Sequence, residues 1–169
     1  VLSALDRALV QAGHRSIVIA AAGSRAAGEL VPLNTSAGVL NDNAKRIAQK
    51  ATAQAIRRTL LREPVDLVHL HGVDFWTYLP PAGVPVLATL HLPPEWYPTE
   101  ALQPVRPDTW LHCVSWNQHR RCPASPQFLP PIANGVDLDV FRPRCRKAGF
   151  ALALGRICPE KGIHHALEA

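Results

Sequence analysis

Residues 65–91 read VDLVHLHGVDFWTYLPPAGVPVLATLH and contain two short apolar runs separated by a turn-rich segment. The first run, residues 65–70, ends at His71-Gly72, and the second, residues 85–90, ends at His91. Apolar runs of this length, bounded by Gly and Pro, are typical of fully buried strands. Such strands occur in parallel sheets, because helices cover both faces of a parallel sheet. The stretch therefore predicts an α/β fold.

The rest of the chain repeats this alternation of helices and short apolar strands. Residues 1–9 and 40–61 have the apolar periodicity of amphipathic helices. Residues 22–38 are small and polar and are predicted to form a loop. We therefore expect a Rossmann-like, mostly parallel sheet. Its further strands are predicted over residues 16–21, 109–114, 127–129 and 150–154, and a last helix opens at Lys161-Gly162.

The composition excludes several classes of protein. The 169 residues are 47% hydrophobic and 18% charged, which is too apolar for a disordered chain. No uninterrupted apolar run reaches the length of about 18 residues that a membrane-spanning helix needs. Lys and Arg number 18 against 13 Asp and Glu, and this net charge of +5 favours anionic ligands such as phosphates. Nucleic acid is not predicted as a partner, because the four tryptophans do not cluster with the arginines in sequence.

The four cysteines predict free thiols rather than a metal site or a disulfide framework. No C-x-x-C pair is present, and the cysteine spacings are irregular. His112 and Cys113 are adjacent, so that in a strand their side chains point to opposite faces. No zinc site is therefore predicted, and free thiols indicate a reducing compartment.

Candidate site residues follow the predicted strands. Ligands of open α/β sheets bind at the carboxyl ends of the strands, and His71, His91 and Asn134-Gly135 occur there. His91 comes directly after its strand, whereas His69 lies inside its strand and is predicted to pack. For His91 a packing role and a functional role both stay open on the residues alone.

A second candidate site lies at the turn Gly155-Arg156-x-x-x-x-Lys161-Gly162. The turn joins a predicted strand to a predicted helix, where free backbone N–H groups favour anions. Arg156 can bind a phosphate through two parallel hydrogen bonds, and Lys161 can add a point charge. The sequence matches neither the P-loop pattern nor the G-x-G-x-x-G pattern. Phosphate binding and an ordinary basic surface remain equal alternatives for this turn.

Two blocks near the end of the chain resemble glycosyltransferase family 4, the retaining group 1 enzymes with a GT-B fold. Residues 153–169, ALGRICPEKGIHHALEA, resemble that family's "GR…peKG…l-eA" segment. Residues 132–143, IANGVDLDVFRP, look like its "ipNGVD…F-p" interdomain segment. Three shorter blocks agree in the same order: residues 12–14, 66–71 and 88–91.

The resemblance implies roles for individual residues. Arg156 and Lys161 match the basic pair that binds the diphosphate of a nucleotide-sugar donor, and Gly155 lets the backbone approach those phosphates. His91 matches the active-site histidine near the donor sugar and the acceptor. Asn134 and Gly135 would shape the interdomain cleft. The implied enzyme is a retaining hexosyltransferase that uses a UDP-, GDP- or ADP-sugar without a metal or other cofactor.

The resemblance also implies a domain organisation and a location. Residues 1–143 correspond to an acceptor-side Rossmann-like domain, and residues 144–169 to the first strand and helix of the nucleotide-sugar domain. The family's opening strand with its Gly-rich loop and its E-x7-E motif are absent, and we expect this chain alone to be inactive and prone to aggregation. The implied location is cytoplasmic, reaching the inner face of the membrane if the acceptor is lipid-linked.

Other functions remain as alternatives to a transferase. A sugar-nucleotide epimerase of similar fold would differ in carboxylates of the nucleotide-sugar domain. A basic α/β binding module without enzymatic activity would need exposed aromatic residues interleaved with its basic residues. A degenerate gene fragment without activity is also compatible with the sequence.

Overall fold

A computed structural model describes residues 2–34, 41–138, 140–142, 146 and 149–168. Contacts divide the chain into two compact units, Val1–Gly135 and Val136–Ala169, which we call the first and the second unit. The domain boundary expected between residues 143 and 144 lies outside the described residues. The first unit has the expected α/β architecture, with all its strands parallel.

The first unit begins with a helix and a two-stranded sheet. Helix α1 (Leu2–Gln11) leads through Gly13, whose φ is 85°, into β1 (Ile17–Ala21), which pairs in parallel with β2 (Glu29–Leu33). The prediction of a loop over residues 22–38 is wrong for β2, and residues 35–38 lie outside the described residues. The apolar residues of β2 are few and stand within a segment of small and polar residues, and the strand forms by pairing with β1.

Asp6 ties α1 to this sheet. Its buried carboxylate accepts hydrogen bonds from the Ser16 hydroxyl (2.7 Å) and from the backbone N–H groups of Ala27 (2.6 Å) and Gly28 (3.3 Å). These bonds lower the pKa of Asp6, the Ser16 bond most of all. Gly28 has to be glycine, because a Cβ there would overlap the carbonyl oxygen of Ser16.

Helix α2 (Asp42–Arg62) follows, and it confirms the predicted helix. The Asn41 side chain caps it by accepting a hydrogen bond from the Ala44 N–H at 2.8 Å. The helix ends at Arg62, and its C-cap residue Glu63 is extended, as expected for the residue before Pro64. Its buried residues Ala55 and Ile56 face the sheets, and its other face is basic and exposed.

A three-stranded sheet forms the centre of the first unit. Its strands are β3 (Val68–Leu70), β4 (Val86–Leu90) and β5 (Thr109–Cys113), and β4 is the middle one. All side chains of β4 and β5 are buried except those of Leu87 and Trp110, which are partly buried, since helical turns cover the sheet. These turns are two 3-10 segments (Phe75–Tyr78 and Pro94–Trp96) and helices α3 (Thr99–Leu102) and α4 (Trp116–His119).

The two sheets share no ladder among the described residues. A cavity of about 460 Å³ is lined by Ile17 and Ile19 of β1, Val68 and His69 of β3, and residues of α1 and α2. Within the described residues, β1 and β3 each pair on one edge only, and both strands border this cavity.

Two predicted strands are not formed. Residues 127–129 make only one parallel bridge, between Phe128 and Leu111. Residues 150–154 are exposed and unpaired, because the described part of the second unit offers no neighbouring strand for a ladder. The predicted last helix is present in part, as a 3-10 turn (Pro159–Lys161) followed by α5 (Ile163–Glu168).

The second unit exposes large apolar side chains, among them Leu152 (79% exposed) and Leu154 (96%). Such a cluster favours association between molecules. We expect the double variant Leu152→Lys/Leu154→Lys to self-associate less than the wild type at equal concentration, as measured by static light scattering.

The matched control is Leu61→Lys/Val105→Lys, which adds the same charge at two isolated exposed apolar positions of the first unit. This control should leave the scattering unchanged. Equal reduction in both variants would show that net charge, and not the apolar cluster, governs self-association.

Candidate functional site

Four histidines meet at the carboxyl ends of three neighbouring strands. Parallel pairing aligns these ends, so that side chains far apart in sequence become neighbours. The centroids of the His69 and His71 rings lie 4.1 Å apart, and those of His71 and His91 lie 5.4 Å apart. We call this the histidine cluster; it consists of His69, His71, His91 and His112, with the Thr89 hydroxyl among them.

Thr89 links two of the rings through one hydroxyl. Its Oγ1 lies 2.7 Å from Nε2 of His69 and 2.7 Å from Nε2 of His112. Nδ1 of His112 lies 3.2 Å from the carbonyl oxygen of Cys113, which only accepts, so Nδ1–H of His112 donates this hydrogen bond. The Thr89 hydroxyl then donates to Nε2 of His112, and Nε2–H of His69 donates to Thr89. Each of these three hydrogen bonds then has one donor and one acceptor.

His71 and His91 form the second pair of the cluster. Nδ1 of His71 lies 3.1 Å from Nε2 of His91, and the rings are stacked at 26°. Nε2 of His71 is buried and has no hydrogen-bond partner within the described chain. His91, the predicted catalytic residue, is half-buried and belongs to this pair.

Burial keeps these rings neutral. Burial first, and then the neighbouring rings of His71, His112 and His91, lower the pKa of His69 to about 4. Burial, followed by the rings of His91 and His112, also lowers the pKa of His71 to about 4. The pKa of His91 is lowered too, by burial and then by His112. Protonation of a second ring in this cluster would be opposed both by the loss of hydration and by repulsion from the ring already charged.

Two polar side chains hold the backbone that carries His91. The buried Tyr97 hydroxyl accepts hydrogen bonds from the backbone N–H groups of His91 (3.1 Å) and Leu92 (3.2 Å). The Gln118 amide donates to the carbonyl oxygens of Leu90 (2.9 Å) and Leu92 (2.6 Å). Gln118 also accepts from the Val114 N–H at 2.9 Å, which connects the ends of β4 and β5.

The turn after His71 is equally constrained. A Cβ on Gly72 would overlap the Tyr78 hydroxyl, so the residue next to His71 has no room for a side chain. The Tyr78 hydroxyl donates to Asp74 at 3.1 Å, and the other carboxylate oxygen of Asp74 accepts from Gln49 at 2.9 Å. These bonds fix the chain immediately after His71 against α2.

Two thiols lie beside the cluster. The sulfur atoms of Cys113 and Cys122 are 3.5 Å apart, and both cysteines are free. Burial raises the pKa of Cys113 to about 12 and also raises the pKa of Cys122, so both remain thiols at neutral pH. Across the described ranges, no three side chains of His, Cys, Asp or Glu are arranged to hold a metal ion.

The predicted donor-binding residues lie in the second unit. Gly155, Arg156 and Lys161 are all exposed. A Cβ on Gly155 would lie 3.9 Å from Cγ of Lys161, so the lysine stem runs beside the glycine. Gly162 adopts a φ of 61°, which ends the 3-10 turn that carries Lys161. Asn134 and Gly135 are exposed at the end of the first unit.

Sequence reasoning missed several members of the histidine cluster. It considered His112 only as a zinc ligand and did not single out Thr89 or Gln118 as partners of the site. A signal was available for His112 and Thr89, because both lie near the end of a predicted strand. No sequence signal indicated Gln118, whose contacts are made across 26 and 28 residues.

Parallel strands with helices between them define a Rossmann-like α/β domain, and polar side chains occur at the carboxyl ends of its strands. The sequence-family model named Glycosyltransferase Family 4 matches residues 1–125, and the chain therefore belongs to that family. Comparison with curated proteins and with solved structures gives no match. The matched region contains the histidine cluster, whereas Asn134, Gly155, Arg156 and Lys161 lie beyond it.

None of the helices in the described residues has both the length and the apolar character needed to cross a membrane.

The lowered histidine pKa values predict that stability depends on pH. An unfolded histidine has a pKa near 6.5, whereas His69 and His71 titrate at about 4 in the fold. Between these values the unfolded chain binds more protons, so the free energy of unfolding rises with pH from about 4 to 6.5. We expect the thermal midpoint to be lower at pH 5 than at pH 7.5.

The matched variant is His69→Gln/His71→Asn, whose amides replace the ring nitrogens that bond Thr89 and His91 but do not titrate. Its thermal midpoint should change less between pH 7.5 and pH 5 than that of the wild type. Identical changes in the two proteins would contradict the assignment of this pH dependence to His69 and His71.

Proposed function

We propose that this protein is part of a glycosyltransferase that moves a sugar from a nucleotide-sugar donor to an acceptor with retention. The family match over residues 1–125 carries the proposal. The position of His91 at the carboxyl end of β4 supports it, because ligands of open α/β sheets bind at that edge. The acceptor class, a saccharide, a lipid-linked sugar or a small molecule, is left to experiment.

In this proposal His91 acts near the donor sugar and the acceptor. Its ring is neutral at physiological pH, half-buried, and held by Tyr97 through its backbone and by His71 through its ring. A neutral, fixed imidazole can offer a hydrogen bond to a ligand oxygen without reorganising during the reaction. The family resemblance assigns this role to His91, and the geometry is compatible with it.

Arg156 and Lys161 would bind the donor diphosphate. Both are exposed and cationic, and the Lys161 stem passes beside Gly155, where no side chain blocks the backbone. Negative charge grows on the leaving phosphate as the bond to the sugar breaks, and two cations there would stabilise it. No metal or further cofactor enters this scheme. Residues 1–143 and 144–169 remain our proposal for the acceptor-side and nucleotide-sugar domains.

The location and the alternative functions also remain proposals. The family resemblance favours the cytoplasm, with contact at the inner face of the membrane if the acceptor is lipid-linked. A sugar-nucleotide epimerase would bind the same donors. It would not, however, release a nucleoside diphosphate when an acceptor is added. Donor binding followed by transfer therefore separates these functions.

Replacing Arg156 and Lys161 together by alanine should weaken the binding of nucleoside diphosphates. Each charge-assisted hydrogen bond contributes about 1.5–3 kcal/mol, so we expect the loss of both residues to weaken binding by about 10²-fold or more. Isothermal titration of the chain with UDP, GDP and ADP measures this loss and identifies the preferred base.

The control is Lys50→Ala/Arg57→Ala, which removes the same charge from the exposed face of α2. This variant should bind the diphosphates as the wild type does. Equal weakening in both variants would mean that net charge attracts the ligand and that Arg156 and Lys161 form no specific site.

Replacing His91 by alanine should abolish most transfer while leaving donor binding intact. Loss of one fixed hydrogen-bond donor to the transition state costs about 10²–10³-fold in rate. Acceptor-dependent release of nucleoside diphosphate, measured with the protein of the complete reading frame, checks this expectation. His14→Ala, at an exposed histidine outside the cluster, should retain the wild-type rate. Unchanged transfer in the His91 variant would remove His91 from the catalytic site.

A further inference from the structure

The contact between His71 and His91 determines which nitrogen of each ring carries a proton. Both rings are neutral near pH 7, so each has one N–H donor and one acceptor nitrogen. Their shared hydrogen bond, from Nδ1 of one to Nε2 of the other at 3.1 Å, needs a proton on one of these two atoms. Two arrangements are therefore possible. In one of them Nδ1 of His91 carries the proton and can donate, and in the other Nδ1 is unprotonated and can only accept.

The buried nitrogen of His71 distinguishes the two arrangements. If His91 donated, His71 would carry its own proton on Nε2, which is buried and has no partner among the described residues. A buried N–H without an acceptor is among the rarest and costliest features of a folded protein. If His71 donates from Nδ1, its Nε2 is only an unused acceptor. The second arrangement is therefore favoured.

The surroundings of His71 hold its ring in place for this bond. The His69 ring lies 4.1 Å away and is itself held by Thr89 at 2.7 Å. On the other side, the turn at Gly72 is closed by the Tyr78 hydroxyl and by Asp74. His71 thus has packing on its ring and a constrained backbone.

We propose that His71 is a positioning residue that holds His91 in the Nδ1–H tautomer, so that His91 offers a hydrogen-bond donor to a ligand oxygen. Within the described residues, Nδ1 of His91 makes no hydrogen bond of its own. Its Nε2 is occupied by His71, so His91 cannot accept a proton from a ligand at either nitrogen without breaking this arrangement. Only the identity of the ligand, a sugar or phosphate oxygen, rests on the proposed function.

Long-range proton–nitrogen NMR of the 169-residue chain near pH 7.5 tests the proposal directly. The imidazole nitrogens of His91 are assigned by their loss in His91→Gln. Their chemical shifts distinguish a protonated from an unprotonated Nδ1. We expect the Nδ1–H tautomer in the wild type, and an Nε2–H tautomer there would overturn the proposal without any further variant.

Two substitutions of His71 separate positioning from packing. The amide of His71→Asn reaches the place of Nδ1 and can donate to His91, whereas the amide of His71→Gln reaches the place of Nε2 and cannot. We expect His91 to keep the Nδ1–H tautomer in His71→Asn and to change to Nε2–H in His71→Gln. An unchanged tautomer in His71→Gln would overturn the proposal.

The control is His69→Gln, which alters the ring packed against His71 but leaves the His71–His91 bond and supplies an amide to Thr89. His91 should keep its tautomer in this variant. A change there equal to that in His71→Gln would show that packing of the cluster, and not the His71 bond, determines the tautomer. Since no step of this test depends on transfer, a failed transferase assay and a failed tautomer test remain distinguishable.

Discussion

The parallel register of β3, β4 and β5 is the constraint on which the histidine cluster depends. Val86 is aligned with both Val68 and Thr109, so the three strands end at the same edge of the sheet. The middle strand is locked by fully buried side chains, including Leu90. A shift of one residue would turn every side chain of a strand to the opposite face. The apolar core of the sheet therefore determines which polar groups meet at its end.

Once the histidines are brought together in this half-buried place, electrostatics restricts their charge. Burial and the proximity of like groups keep His69 and His71 neutral at physiological pH. A neutral imidazole has one N–H donor and one acceptor nitrogen. These groups form the hydrogen bonds through Thr89 and between His71 and His91. The result is a polar network with defined proton positions inside an otherwise apolar sheet.

The two units differ in how much of their apolar surface is covered. In the first unit, helices and turns cover the three-stranded sheet, and Asp6 fastens α1 to the two-stranded sheet. In the second unit, Leu152 and Leu154 are largely exposed, and residues 150–154 have no neighbouring strand in the part of this unit that the structure describes. A parallel strand is stable only between partners, so the predicted strand at residues 150–154 does not form in this chain.

The sequence by itself determined the α/β class, helix α2, and the places of β1, β3, β4 and β5. These features depend on local periodicity and on residues close in sequence. It also singled out His91, because that residue follows its strand directly. Only the tertiary structure decided that β2 is a strand and that His91 is paired with His71. Contacts of this kind join residues 12 to 28 positions apart, and local pattern carries no information on them.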